Sequence, residues 1–275
     1  MPSLSGICRN ADGSPAEKLV RVYRRDTGVL VGAKISSAAT GAWSVTTPDS
    51  NEHFAIEHDA IGDPSWDKTS LFVPMTSDFS DARGHSVVNS GAATSTAVAD
   101  PFGGTNPVGY FNGAAKLSVT ADAVGAGEFT IEGFFRTTTI ATGYYAIYFF
   151  GSTAVYVHTD KLVWYEGADR CASASLSANT WYEFSLCRVG TTITLRVNGV
   201  ATGSTYTSAA NYSVAAHYVG MNNVGGEPFN GYLSYIRVSS FARYTSNYTA
   251  SVAPFLNGLV GGANNALIRD RLTPA

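Results

Sequence analysis

Apolar and polar residues alternate in short runs along the whole chain, and each run stops at Gly, Pro, Asn or Asp. Period-two patterning of this length predicts half-buried strands. In the first sixty residues the runs are Ser5–Cys8, Leu19–Arg24, Val29–Ile35, Trp43–Thr46 and His53–His58. Turn signals separate them at Asn10–Gly13, Thr27-Gly28, Thr40-Gly41 and Pro48–Asn51. Further on come Phe72–Met75, His85–Asn89, Tyr110–Gly113, Lys116–Val119, Glu128–Arg136 and Tyr144–Phe150. Then follow Val155–His158, Leu162–Tyr165, Trp181–Arg188, Thr192–Val197, Val200–Gly203, Val214–Gly220 and Phe229–Val238. Asn198-Gly199 is the strongest hairpin signal, because both residue types tolerate positive φ. Helical spacing is confined to fragments of turn length, and no repeat of propeller or solenoid period occurs. The pattern predicts an all-β protein.

Two runs carry specific expectations. In Glu128–Arg136, alternation puts Phe129, Ile131, Gly133 and Phe135 on one face and Thr130, Glu132, Phe134 and Arg136 on the other. In the closing run it puts Leu233, Tyr235 and Arg237 to one side and Tyr232, Ser234, Ile236 and Val238 to the other.

From Gly231, Tyr232, Arg237 and Val238 through Ala242-Arg243-Tyr244-Thr245, Tyr248 and Pro254, the chain resembles the closing strand and exit segment of laminin-G-like domains. These are concanavalin-A-type jelly rolls, here in the form found in bacteriophage tail and virion proteins. Phe79-Ser-Asp81 with Gly84, Tyr110–Gly113, Glu128–Arg136 and Trp181–Arg188 extend the likeness. Ser5, Gly6, Asp12, Gly13, Pro15, Arg21–Gly28 and Thr40–Pro48 resemble a transthyretin-like, carboxypeptidase-regulatory-type module. The last strand of that module has no match after Asp59, but Asn265–Pro274 matches it near the end of the chain. The resemblance therefore implies a small immunoglobulin/transthyretin-like β-sandwich made of residues 1–60 with 263–275. A concanavalin-A-like jelly-roll sandwich of residues 65–257 is inserted in it, and Gly258–Ala263 is the return linker.

Composition narrows the function. Charged residues are only 14% of the chain against 45% apolar and 12% aromatic, and the net charge is −3. A broad footprint for nucleic acid or anionic membrane is not expected. The N-terminus lacks an apolar core segment and no run of 18 apolar residues occurs, so neither signal peptide nor membrane insertion is expected. Three cysteines, Cys8, Cys171 and Cys187, make an odd count. They read as buried reduced thiols rather than a disulfide framework, with a Cys171–Cys187 pairing left open.

No motif for catalysis emerges. Retaining glycosidases need two carboxylates about 5–5.5 Å apart, and the nearest pattern is Glu128…Glu132 with Thr130 between. Nucleophile-elbow, Walker and zinc-helix motifs are absent. His53, His58, His85, His158 and His217 follow no metal-ligand spacing. No cofactor is expected. The resemblance implies a calcium position at the sandwich rim, yet Ser234, Lys116, Asn112 and Asn198 stand where that family places other groups, mostly Asp. Asp122, Asn222, Asn223 and Glu227 are the donors left for such an ion.

Sugar recognition calls for aromatic faces beside Asn, Asp or backbone groups. Tyr144, Tyr145, Trp164, Tyr165, Asn222 and Asn223 are the candidate carbohydrate-binding residues, with Tyr206, Asn211 and Tyr212 as further loop positions. The resemblance implies a non-enzymatic tail-tip or baseplate component, made in a bacterial cytoplasm and carried on the virion. Its partners would be other tail proteins, copies of itself and a host-surface glycan. A ligand-free decoration or connector protein is the alternative, and a polysaccharide-degrading enzyme a second one.

Overall fold

The computed structural model describes residues 2–9, 19–27, 30–35, 37, 40–48, 52–58, 63, 65–255 and 266–268. The Asn10–Gly13 turn, the Gly258–Ala263 linker and most of Asn265–Pro274 lie outside the described residues. The chain divides into two compact units, residues 1–67 with 256–275, and residues 68–255. Strands dominate both, and the 3-10 turn Trp66–Lys68 is the one helical element among the described residues. Among them no helix is long and apolar enough to cross a membrane.

The smaller unit contains β1 (Ser3–Ile7), β2 (Leu19–Arg24), β3 (Leu30–Ile35), β4 (Ala42–Thr46), β5 (His53–His58) and, from the far end of the chain, β22 (Ala266–Ile268). Strands β1 and β4 form a two-stranded sheet, and a second sheet runs β22-β5-β2-β3. β22 pairs antiparallel with β5, Leu267 facing Ile56. Leu4, Cys8, Val20, Val22, Trp43, Val45 and Ala55 form its core.

In the larger unit the strands are β6 (Thr69–Val73), β7 (Val87–Ser90), β8 (Ala93–Ser95), β9 (Val108–Asn112), β10 (Lys116–Thr120), β11 (Phe129–Thr137), β12 (Ala141–Phe150) and β13 (Thr153–Thr159). They continue as β14 (Lys161–Glu166), β15 (Asp169–Ala172), β16 (Tyr182–Val189), β17 (Thr192–Val197), β18 (Val200–Ala201), β19 (Tyr206–Thr207), β20 (Ala216–Val219) and β21 (Asn230–Ser239). A seven-stranded sheet runs β15-β14-β13-β12-β20-β10-β7. A nine-stranded sheet runs β18-β17-β16-β11-β21-β9-β8, with β19 on β17 and β6 on β21. The order departs from sequence order, as in a jelly roll. Between the sheets lies one core, to which Phe129, Ile131, Phe135, Phe184, Leu186 and Leu233 come from one side, and Leu117, Ile147, Val155, Leu162, Trp164 and Val219 from the other. Each such side chain contributes about 1.5–3 kcal/mol by leaving water.

The closing strand departs from simple alternation. The register on β11 passes from Glu132↔Arg237 to Phe134↔Ser234, so β21 holds one residue more than its partner. Tyr235 is that extra residue, at φ 54°. The bulge resets the phase, so Leu233, Ile236 and Val238 all reach the core while Tyr235 and Arg237 face away from it. Gly133 sits opposite, where a Cβ would lie 2.7 Å from Ile236 Cδ1.

The outer face of the nine-stranded sheet is not open to water as the sequence pattern suggests. Residues 240–255 cross it as an irregular strap. Thr130 Oγ1 donates to Phe241 O at 2.9 Å and accepts from Arg243 N at 2.8 Å. Glu132, fully buried, takes Arg237 Nε at 2.7 Å and the Tyr244 hydroxyl at 2.8 Å. Glu183 takes Ser251 N at 2.7 Å and the Tyr248 hydroxyl at 3.3 Å. The Ala242–Tyr248 string is thus the polar underside of a lid on the sheet.

Candidate functional site

The far side of the other sheet is different. On β13, Ala154 and Tyr156 point away from the inter-sheet core while Val155 and Val157 enter it. On β14, Val163 and Tyr165 point away while Leu162 and Trp164 enter. On β12, Tyr144 and Ala146 point away, a register shift between Ala146 and Tyr148 follows, and Phe149 then points away. Alternation on three adjacent strands therefore collects tyrosines on one solvent-side face.

Their rings touch edge to face. Tyr144 and Tyr156 are 5.1 Å apart at 63°, Tyr144 and Tyr165 5.5 Å at 75°, and Tyr156 and Tyr165 5.7 Å at 69°. These are the distances and angles that favour the ring quadrupoles. His158, the cross-strand neighbour of Tyr144, stacks on it at 3.8 Å and 18°. Its Nδ1 lies 2.6 Å from Asp169 Oδ2, both side chains about 30% exposed. The same carboxylate lies near the Tyr144 phenol; burial first, then the charge of Asp169, raises its pKa.

The loop between β20 and β21 closes one side. Asn222 Oδ1 accepts from Gly226 N at 2.7 Å and Val224 N at 3.1 Å, which folds the loop back. Its Nδ2 donates to Glu227 Oε2 at 3.2 Å, and the same oxygen takes the Tyr156 hydroxyl. Burial, then that carboxylate, keeps the Tyr156 phenol protonated far above its ordinary range. Glu227 Oε1 takes no hydrogen bond from the described residues. What results is a partly exposed aromatic floor with two carboxylates at its margin, suited to packing on C–H faces and accepting from hydroxyls.

Of the six residues expected from the sequence, three meet here: Tyr144, Tyr165 and Asn222, the last as loop organiser. Trp164 does not; its indole is fully buried between the sheets, because alternation on β14 turns it inward beside Leu162. Tyr145 also faces inward and donates its hydroxyl to Thr142 O at 3.1 Å. Asn223 is exposed at the β10 end of the loop, where its carbonyl accepts from Lys116 Nζ at 3.4 Å. Tyr212 is buried and donates to Glu166 at 2.8 Å, and Tyr206 is covered by Arg170 at 5.0 Å. Sequence reasoning missed Tyr156 and Asp169, gave His158 no part in a site, and offered Glu227 only as an ion donor. Their signal lies in strand order, which no local pattern carries.

Other places offer less. An open hollow of about 630 Å³ is lined by Asp78, Ser80, Asp81, His85 and Asn89. Asp81, however, is spent on Phe72 N at 2.7 Å and on His85 N and Nδ1 at 3.0 and 2.6 Å. Glu128 is exposed while Glu132 is sealed under the strap. Among the described residues no three His, Cys, Asp or Glu side chains converge on a metal position.

A laminin-G family model, described as the concanavalin A-like lectin/glucanases superfamily, matches residues 109–246. No curated protein matches the sequence. Among solved structures, a receptor binding domain aligns with TM-score 0.51 and 12% identity, over 66% of this chain and 49% of that one. A Trypanosoma rangeli sialidase mutant aligns with TM-score 0.50 and 9% identity, over 76% and 45%. Domain 4 of an extracellular arabinanase from Geobacillus stearothermophilus, solved with arabinotriose, aligns with TM-score 0.47 and 12% identity, over 64% and 93%. This chain spans about half the length of the receptor binding domain and just under half that of the sialidase. At such identities the likeness is one of fold.

Proposed function

The chain belongs to the concanavalin A-like lectin/glucanases superfamily, and from that premise we propose that its larger unit binds carbohydrate, without catalysis, through the tyrosine face of the seven-stranded sheet. The observation that carries this reading is the cluster of Tyr144, Tyr156 and Tyr165 with His158, Asp169 and Glu227 at its margin. Aromatic residues in such clusters give contact area at low entropic cost.

The finer proposal is a bacteriophage tail-tip or baseplate component that contacts a host-surface glycan, present in several copies. The smaller unit, residues 1–60 with 263–275, would be a transthyretin-like anchor on the particle. The opening and closing strings described above support it, as does a low-charge surface fit for assembly.

The test is binding of the full chain, multimerised for avidity, to host cells before and after chemical removal of the surface polysaccharide. Saturable binding that stripping abolishes, and that Tyr144→Ala with Tyr165→Ala weakens about tenfold, is the expected result. Binding indifferent to stripping, or to both substitutions in a folded protein, would overturn it.

A further inference from the structure

The tyrosine face also has a chemical polarity, which bears on which sugars it accepts; this step rests on the carbohydrate reading above. The side chains at its margin present acceptors. Asp169 lies beside Tyr144 and His158, partly exposed. Glu227 is fixed by Tyr156 and Asn222 through one oxygen and keeps the other for a ligand. The Tyr156 phenol is already committed to Glu227, so it is a poor donor to an incoming anion.

Cations stand at the rim of the face. Arg170, next to Asp169 in sequence, turns its guanidinium over Tyr206 and donates Nε to Glu166 O. Lys116 lies over Tyr218 on β10, 5.4 Å from the ring. Its ammonium also donates to Asn223 O at 3.4 Å, in the loop that closes the site. Lys161, exposed at the end of the β13–β14 hairpin, is the cross-strand partner of His158 and so leaves the sheet on the same face. Neither lysine presents the paired N–H fork that recognises a sugar carboxylate, and the nearest guanidinium in sequence, Arg170, is held over Tyr206.

We propose that this face selects neutral sugars presenting neighbouring hydroxyls, which donate to Asp169 and Glu227 while a C–H face packs on Tyr144 and Tyr165, and that it rejects sialic acids and uronates. A carboxylate brought against Asp169 and Glu227 meets like charge in a partly desolvated place and gains no fork in return.

The experiment is equilibrium binding of the full chain to neutral hexose oligosaccharides and to sialylated or uronate-bearing counterparts of equal length, at pH 7 and fixed salt. Neutral ligands should bind at least about tenfold more tightly, and Asp169→Asn and Glu227→Gln should each cut that binding about tenfold, as loss of a charged hydrogen bond does. Both variants are checked for an unchanged thermal midpoint. Should Glu227→Gln disturb its loop, Asp169→Asn on the exposed hairpin decides alone. Equal or tighter binding of acidic sugars would overturn the inference while leaving carbohydrate binding intact, and so would folded variants that bind as the parent does. Binding to no glycan at all would overturn both.

Discussion

The Tyr244 hydroxyl donates to Glu132 Oε2 across 2.8 Å, tying the C-terminal strap to the centre of the nine-stranded sheet. Arg237 Nε reaches the other oxygen at 2.7 Å and Arg243 Nε stands 3.3 Å from it. Glu132 and Arg237 are buried and Arg243 and Tyr244 half-buried, so the carboxylate and its partners stand or fall together. Glu132→Ala should cost about 3–5 kcal/mol, since it leaves buried guanidinium charge without its carboxylate. Tyr244→Phe should cost about 2 kcal/mol, one hydrogen bond to a charged group. Urea unfolding of the two variants checks both the order and the sizes.

The same strap fixes the Asn198-Gly199 turn. Gly199 has φ 78°, and a Cβ there would lie 2.1 Å from Tyr248 O, whose own amide donates to Gly199 O at 2.9 Å. Gly199→Ala therefore meets both backbone strain and a backbone collision. Gly190, at φ 57° with nothing within 4 Å of an added Cβ, meets only the strain. Gly190→Ala should cost about 1 kcal/mol and Gly199→Ala at least about twice that. Equal losses in denaturant unfolding would show that the strap does not press on the turn.

These two regions mark what the sequence makes legible. The Asn198-Gly199 turn could be read directly, because its chemistry is local: both residues have positive φ. The faces of β11 were also readable, since Phe129, Ile131 and Phe135 do enter the core. The burial of Glu132 was not, because the segment that covers it lies more than a hundred residues away in the chain. The inward turn of Ile236 was hidden by one extra residue at Tyr235, which period-two reading cannot register. At the candidate site Tyr144 and Tyr165 were found by residue type alone. Tyr156 and Asp169 needed the order β15-β14-β13-β12, and Trp164 shows that residue type without facing misleads.

His217 predicts a pH response. It is buried beside Tyr148, whose hydroxyl lies 2.7 Å from Nδ1, and Nε2 lies 3.2 Å from Asp122 O. Burial lowers its pKa to about 4; the Asp122 carbonyl opposes this and nearby His85 adds to it. The unfolded chain takes up a proton near the ordinary value of about 6.5. Between these values the unfolded state binds more protons, so stability falls as pH drops, by about 3 kcal/mol from this residue. His217→Gln should flatten the thermal midpoint between pH 7 and 4.5. An equally steep fall in that variant would assign the response to other groups.

The thiols give the last prediction. Cys171 lies in the core between the sheets, its Sγ 3.9 Å from Ile193 O. Cys187 is on the opposite face of the nine-stranded sheet, 3.3 Å from Thr130 Oγ1 beneath the strap. A disulfide needs Cβ atoms about 3.8 Å apart, and the nine-stranded sheet stands between these two side chains, which are both free, so the pairing left open by the sequence is closed by the fold. Burial raises both pKa values to about 11, and Cys8 is fully buried in the smaller unit. A thiolate-seeking reagent at pH 8 should find almost no target in the native protein. In guanidinium without reductant it should titrate all three cysteines of the sequence. Titration of only one would mean that Cys171 and Cys187 are linked and that the strand facing described here is wrong.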